Sequence, residues 1–278
     1  MSEESDMPSW RIEKPQSLDL DGVRRLEVRM VAGSVDVVGR TEDAESGAAQ
    51  VEVSDLDGPL TVSLENGTLT IVHERLTWGG LLDWVGNRKA SATVSVSVPA
   101  DCPVELGVVS ADAVVSGIVA DRTAVKSVSG EITLDGVRSD ITAQTVSGDL
   151  ETRQLLGTLR FTTVSGDLTV VNGASDAVKA ETVSGDLTLD LDPSAGGRIE
   201  LSSVSGDVTV RMPDTAGMTV AISTMSGSLD SAFAGTHSER RPGRASLRGQ
   251  VGDGDGRLTA KTVSGDITLL RRGAKAPA

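Results

Sequence analysis

Aromatic residues make up only 2% of this 278-residue chain, and tyrosine is missing altogether. An ordinary globular core draws much of its bulk from large rings, so their scarcity points to a thin structure with little interior to fill. The single cysteine, Cys102, excludes an internal disulfide and agrees with a reducing compartment. No run of 18 consecutive apolar residues occurs, which leaves no candidate for a membrane-spanning helix. The opening stretch MSEESDMPSWRIEKPQ has no basic segment followed by an apolar one, so the expectation is a protein made and kept in the cytoplasm. Positive charge is the scarcer sign: 26 Lys and Arg face 40 Asp and Glu, a formal net charge of −14. Such a surface repels phosphate backbones and anionic headgroups, which argues against nucleic acid as a partner.

What is present is a repeat. Val-Ser-Gly followed by Asp or Glu occurs with its Gly at 130, 148, 166, 185, 206 and 265, and a variant, Met225-Ser226-Gly227-Ser228, joins the series. The spacings are 18, 18, 19, 21, 21 and 38, and the last, twice 19, suggests a turn that has lost its signature or carries an insertion. Val109-Ser110-Ala111-Asp112 extends the series upstream, with weaker copies at Gly33 and Gly67.

Aligned on the Gly, the residue two after it is always apolar (Ile132, Leu150, Leu168, Leu187, Val208, Leu229, Ile267). Further inward columns stand seven before it (Thr123, Ile141, Leu159, Val178, Ile199, Val220, Leu258) and five before it (Val125, Ala143, Phe161, Ala180, Leu201, Ile222, Ala260). Polar residues alternate with them, so each turn carries two short strands of period two. The alternation slips by one residue just before the Val-Ser step, which marks a corner, and Gly there suits a backbone that passes close to the turns above and below.

One such turn cannot bury its inner face, whereas turns stacked at ~4.8 Å bury a continuous core and satisfy one another's strand hydrogen bonds. The expected fold is all-β, a parallel β-solenoid, flattened, two-sheeted and right-handed. Asp190 to Ala195 reads as a loop. An ordinary β-sandwich is the rival architecture, against which in-register stacking of identical residues argues. One elongated domain is expected over 17–272, with irregular turns over 17–99, regular repeats over 100–272, and disordered ends at 1–16 and 273–278. Two insertions interrupt it. Residues 73–91 contain Trp78 and Trp84 and read as a cover over the core or an apolar knob for a partner. Residues 232–256 contain Arg240, Arg241, Arg244 and Arg248 and read as a solvated loop or an anion-recruiting patch. The Gly252-Asp253-Gly254-Asp255-Gly256 run that closes the second insertion reads as a tight turn, since the further ligands of a calcium loop do not follow.

The most specific constellation is the column directly after each Gly: Glu131, Asp149, Asp167, Asp186, Asp207 and Asp266. Neighbouring acids ~4.8 Å apart repel by about 0.9 kcal/mol in water, which a fold tolerates. Two readings stand: each carboxylate accepts hydrogen bonds from nearby hydroxyls or backbone N–H groups, or the row collects cations or a basic segment of a partner. A glycosidase-like pair of carboxylates is disfavoured because the acids recur identically and aromatic sugar platforms are scarce. His73 and His237 lie far apart without other ligands nearby and read as surface residues. No nucleophile triad, phosphate loop or dinucleotide motif is visible, so neither an enzyme nor a cofactor is expected.

The units Val183-Ser184-Gly185-Asp186-Leu187-Thr188-Leu189 and Val164 to Val170 resemble the bacterial domain-of-unknown-function family that carries an adhesin label and is called toastrack, over about 23–272. The resemblance implies the repeat architecture and a sensing or scaffolding role beside membrane proteins of envelope-stress systems of the Lia and phage-shock type. The expectation is a non-catalytic binding protein with a protein partner, peripheral at the inner face of the membrane. The alternatives are an exported adhesin and, more remotely, a carbohydrate-active enzyme.

Overall fold

The computed structural model describes residues 8–41, 47–73 and 90–273. Every regular element among them is a β-strand, so the chain is all-β. The residues group into two compact units, Met1–Ile132 and Thr133–Ala278.

The first unit holds β1 (Ser9–Ile12), β2 (Gln16–Leu20), β3 (Arg25–Arg40), β4 (Ala49–Asp57), β5 (Leu60–Glu65), β6 (Thr68–His73), β7 (Ser91–Pro99), β8 (Val104–Ser116) and β9 (Val119–Ser127), and β10 (Ile132–Asp135) begins at its end. The long β3 lies inside the stack. Its first half runs parallel to β6 and its second half to β7, while β8 pairs with both halves from the other side. Alternate residues of β3 (Leu26, Val28, Met30, Val35, Val37) are buried, the period-two signature of a half-buried strand. Gly33 sits at the bend between the halves with φ +105°, and a Cβ there would meet the Ala92 carbonyl oxygen at 1.9 Å.

Antiparallel strands finish the edge of this unit. β5 folds back on β6, β1 joins β5, β4 joins β7 and β2 joins β4. Gly67 is therefore no repeat corner. Asn66 and Gly67 both have positive φ and form the two-residue turn of the β5–β6 hairpin, as Asn-Gly does between alternating apolar residues. Residues 9–12, expected to be disordered, add a strand because Ser9 to Ile12 find the free edge of β5 and Ile12 reaches the core. Of the first insertion, His73 and Ser91 belong to strands. Trp78 and Trp84 lie outside the described residues, as do 274–278.

The second unit continues with β11 (Arg138–Thr145), β12 (Leu150–Arg153), β13 (Leu156–Thr162), β14 (Leu168–Glu181), β15 (Leu187–Leu191), β16 (Arg198–Ser202) and β17 (Val208–Pro213). It ends with β18 (Met218–Thr224), β19 (Leu229–Ser231), β20 (Thr236–Arg241), β21 (Arg244–Val251), β22 (Gly256–Thr262) and β23 (Ile267–Arg272). Equivalent residues of successive turns face each other in parallel register: Ile141 beside Leu159, Leu159 beside Val178, Val178 beside Ile199. A second column runs Leu150, Leu168, Leu187, Val208. The apolar columns seven and five before each Gly are buried throughout this unit.

Past β16 and β17, chain order and spatial order part. β22 lies between β16 and β18, and β23 between β17 and β19. The last turn in the sequence is thus wedged between the turns of Gly206 and Gly227. The spacing of 38 residues is not a lost turn. It holds the second insertion, which forms no loop: β20 and β21 make an antiparallel hairpin, and β21 pairs antiparallel with the free edge of β18. The alternation of Ala245 and Leu247 inward with Ser246 and Arg248 outward makes β21 a strand. The Gly-Asp-Gly run is a tight turn in which Gln250 Nε2 donates to the carbonyls of Gly252 and Asp253.

Candidate functional site

The signature residues build one corner of the second unit. At the inner side, in four of the turns the buried hydroxyl three residues before the Gly accepts from that glycine's N–H: Thr163 from Gly166 at 3.0 Å, Thr182 from Gly185 at 2.9 Å, Ser203 from Gly206 at 2.7 Å and Thr262 from Gly265 at 3.1 Å. The chain turns tightly there, and each Gly packs on the carbonyl of the Gly below it.

On the outer side the acids form a ladder. Asp149 Oδ1 accepts from the N–H of Asp167 at 2.8 Å, Asp167 from Asp186 at 2.7 Å, Asp186 from Asp207 at 2.8 Å, Asp207 from Asp266 at 2.8 Å, and Asp266 from Ser228 at 2.7 Å. In the first unit Asp112 holds the N–H of Glu131 in the same way at 2.9 Å. Each carboxylate thus satisfies a backbone donor of the next turn, a charge-assisted bond that offsets like-charge repulsion along the row. Position 228 is Ser: its turn ends the stack among the described residues, where no following N–H is held. Asp186→Asn keeps the accepting oxygen and is expected to leave stability unchanged or slightly raised. Asp186→Ala should lower it by about 1 kcal/mol in urea unfolding.

Between the buried hydroxyl and the Gly stand an apolar residue and a Ser. Val146, Val164, Val183, Val204, Val263 and Met225 follow one another in spatial order, and each is between 43% and 59% exposed. The Ser after each accepts its place by backbone pairing to the Val of the preceding turn, as Ser184 N–H does to the Val164 carbonyl at 3.0 Å. The ridge has the same repeat as the acid ladder and lies three residues from it along the chain. In the sequence these side chains carry no mark of a functional role beyond their place in the repeat.

Arg240, Arg241 and Arg244 occupy the exposed tip of the β20–β21 hairpin, with Arg241 opposite Arg244 and Arg248 opposite His237. Arg241 also pairs with Glu239 at 2.7 Å. The cluster is not gathered with the ladder into one pocket, and no group of three or more candidate metal ligands occurs among the described residues.

Three titratable groups stand apart. Asp190 belongs to β15, not to a loop, and is buried with Leu191. Arg211 of β17 bonds its Oδ2, and Arg272 of β23 bonds its Oδ1 through Nε at 2.9 Å and through Nη2, so one carboxylate ties three adjacent turns. Burial opposes its charge, and the hydrogen bonds from Arg211 and Arg272 outweigh that opposition, holding the carboxyl below its ordinary range. A depressed folded value stabilises the protein above the unfolded value near 4 and loses that stabilisation as pH falls below it. Asp190→Ala is expected to cost about 2 kcal/mol at neutral pH, the half-exposed Arg211 being able to resolvate, with the gap from wild type closing in acid.

His73 is fully buried at the end of β6, not on the surface, and His237 is exposed within β20. His73 Nδ1 accepts from the Val31 N–H at 3.1 Å, and Nε2 has no partner among the described residues. Burial lowers its affinity for a proton. The neutral form is therefore the folded one, and stability should fall as pH drops below about 6.5. A His73→Gln variant unfolded at pH 7 and pH 5.5 is expected to lack that loss. Cys102 is buried, and its thiol is pushed up to about 12 by burial and by Asp101, which makes it unreactive.

In-register parallel turns with a stamped corner define a β-solenoid-like repeat protein. The chain belongs to the Toastrack DUF4097 family, whose sequence profile matches residues 23–270. No curated protein matches the sequence. Among solved structures, it is similar to a proposed lipid-binding protein from Parabacteroides distasonis, at 11% identity over 93% of this chain and 98% of that one, with a TM-score of 0.50. It is also similar to a proposed adhesin from Bacteroides fragilis, at 12% identity over 93% and 98%, with a TM-score of 0.47.

Proposed function

We propose that the protein is a non-catalytic scaffold that binds a protein partner at the cytoplasmic face of the bacterial envelope and takes part in an envelope-stress response. The observation that carries this reading is the equivalence of the exposed acids. Each one commits an oxygen to the next turn's N–H, so none is singled out as the acid or nucleophile that hydrolytic chemistry needs. Rows of identical side chains at a fixed pitch are instead what an extended binding surface offers. The toastrack resemblance, through its association with Lia and phage-shock membrane proteins, supports the envelope setting. The same proposal takes the parallel coil of the second unit as flattened, two-sheeted and right-handed.

Tagging the protein in its own host, fractionating cells with and without envelope stress, and crosslinking provide the test. Recovery with the membrane fraction through one dominant partner is expected. Recovery outside the cell would replace the scaffold with an adhesin.

A further inference from the structure

The Val ridge and the acid ladder share one corner of the second unit. A solvated corner would be served as well by Thr, which matches Val in shape and fills the outward column at 169, 188, 209 and 268 of the same turns. Six apolar side chains in a row, each about half exposed, are instead kept beside five acids. Among the described residues, ion pairs of the unit such as Arg153 with Glu151, Lys179 with Glu181, and Arg211 and Arg272 with Asp190 engage other carboxylates. The ladder therefore presents a row of negative charge within ~10 Å of an apolar line, three residues along the chain. Anchoring of each Oδ1 on backbone fixes the row in place, so little ordering is left for a partner to impose.

Pitch decides the form of the partner. Successive ridge residues stand ~4.8 Å apart, and the six span on the order of 24 Å. Same-face residues of an α-helix recur every 3.5 residues or so, about 5.3 Å along its axis, whereas same-face residues of a strand recur at about 6.7 Å. Over five steps the helix drifts by roughly 2 to 3 Å, which flexible Lys and Arg stems absorb, and the strand by roughly 9 Å, which they do not.

We propose that this corner docks a basic amphipathic helix of a partner protein, laid along the stacking direction with its apolar row on Val146, Val164, Val183, Val204, Val263 and Met225 and its cationic row on Asp149, Asp167, Asp186, Asp207 and Asp266. This rests on the scaffold reading and names its partner's chemistry. A helix of about 17 residues covers the ridge.

Fluorescence anisotropy with the full chain tests it, using a labelled 18-residue Leu/Lys/Ala peptide with Leu and Lys in adjacent rows at heptad spacing. The controls are a scrambled peptide of the same composition and one of strict Leu-Lys alternation. The heptad peptide is expected to bind at least about tenfold tighter than either control. Two variants, Val164→Thr/Val183→Thr/Val204→Thr and Asp167→Asn/Asp186→Asn/Asp207→Asn, should each weaken it about tenfold, with wild-type unfolding midpoints showing that the stack is intact. Added salt should weaken wild type far more than the Asn variant. Equal binding of the alternating or scrambled peptide, or indifference to the Val→Thr changes, overturns the proposal. So does preferential binding of the ridge to phosphatidylglycerol vesicles. A cellular partner crosslinked away from this corner defeats the helix site alone, whereas tight peptide binding in a protein that captures no partner in cells defeats the scaffold reading.

Discussion

Gly185→Ala is expected to cost about 4 kcal/mol or more, enough to leave the second unit largely unfolded, as read by urea denaturation followed by circular dichroism. A Cβ at this position would lie 1.9 Å from the Gly166 carbonyl oxygen and 2.6 Å from its carbon. Both are backbone atoms with no flexible end to swing aside. Relief requires the turn to move, yet it is pinned on both sides, by the Asp167 bond to Asp186 below and, above, by Gly206, which packs so closely on the Gly185 carbonyl that a Cβ there would also lie 1.9 Å from the oxygen. Overpacking in ordinary cores costs about 1–3 kcal/mol because side chains share the strain, and here they cannot. Gly136→Ala is the control: nothing lies within 4 Å of its Cβ position, and only its φ of +62° opposes the change, at about 1 kcal/mol. Equal effects of the two substitutions would refute the stacked-corner argument.

Ending the chain at Asp255 is expected to abolish the cooperative unfolding transition of the second unit. The lost residues form β22 and β23, which supply parallel partners to β16 and β18 on one column and to β17 and β19 on the other. The cut also removes Arg272 from Asp190 and leaves that carboxylate buried with one cation. Trimming an end turn from a linear stack would forfeit one interface, but this cut opens a gap with two unpaired faces. A truncated protein that unfolded at the wild-type midpoint would show that the turns of Gly206 and Gly227 can close on each other directly.

The sequence made the turn legible more readily than the order of turns. Ile141, Leu159, Val178, Ile199, Leu258 and Val220 are a column in the alignment and a buried column in the protein, because a residue's place within a turn is set by local alternation. Which turn lies on which is set by pairing between distant segments, and identical signatures carry no mark of rank. One mark was present: Ser228 replaces the acid, and that substitution belongs to the end of the stack, not to a decayed repeat. Asn66-Gly67 also announced its hairpin, but the 18–21 residue template absorbed the Gly as a corner. The ladder acids were found by their spacing, while Asp190 was hidden in what read as a loop, since its worth depends on Arg211 and Arg272 from other turns. The ridge went unremarked because Val in a strand-rich sequence reads as core.

The wedged final turn bears on how the protein is made. The ribosome delivers the turn of Gly227 before the turn that must separate it from that of Gly206, and both earlier turns present compatible edges while they wait. The nascent chain must keep that slot from closing, or reopen it, until residues 256–272 leave the exit tunnel. Completion of the second unit therefore waits for its last segment, whatever the order in which its other turns assemble.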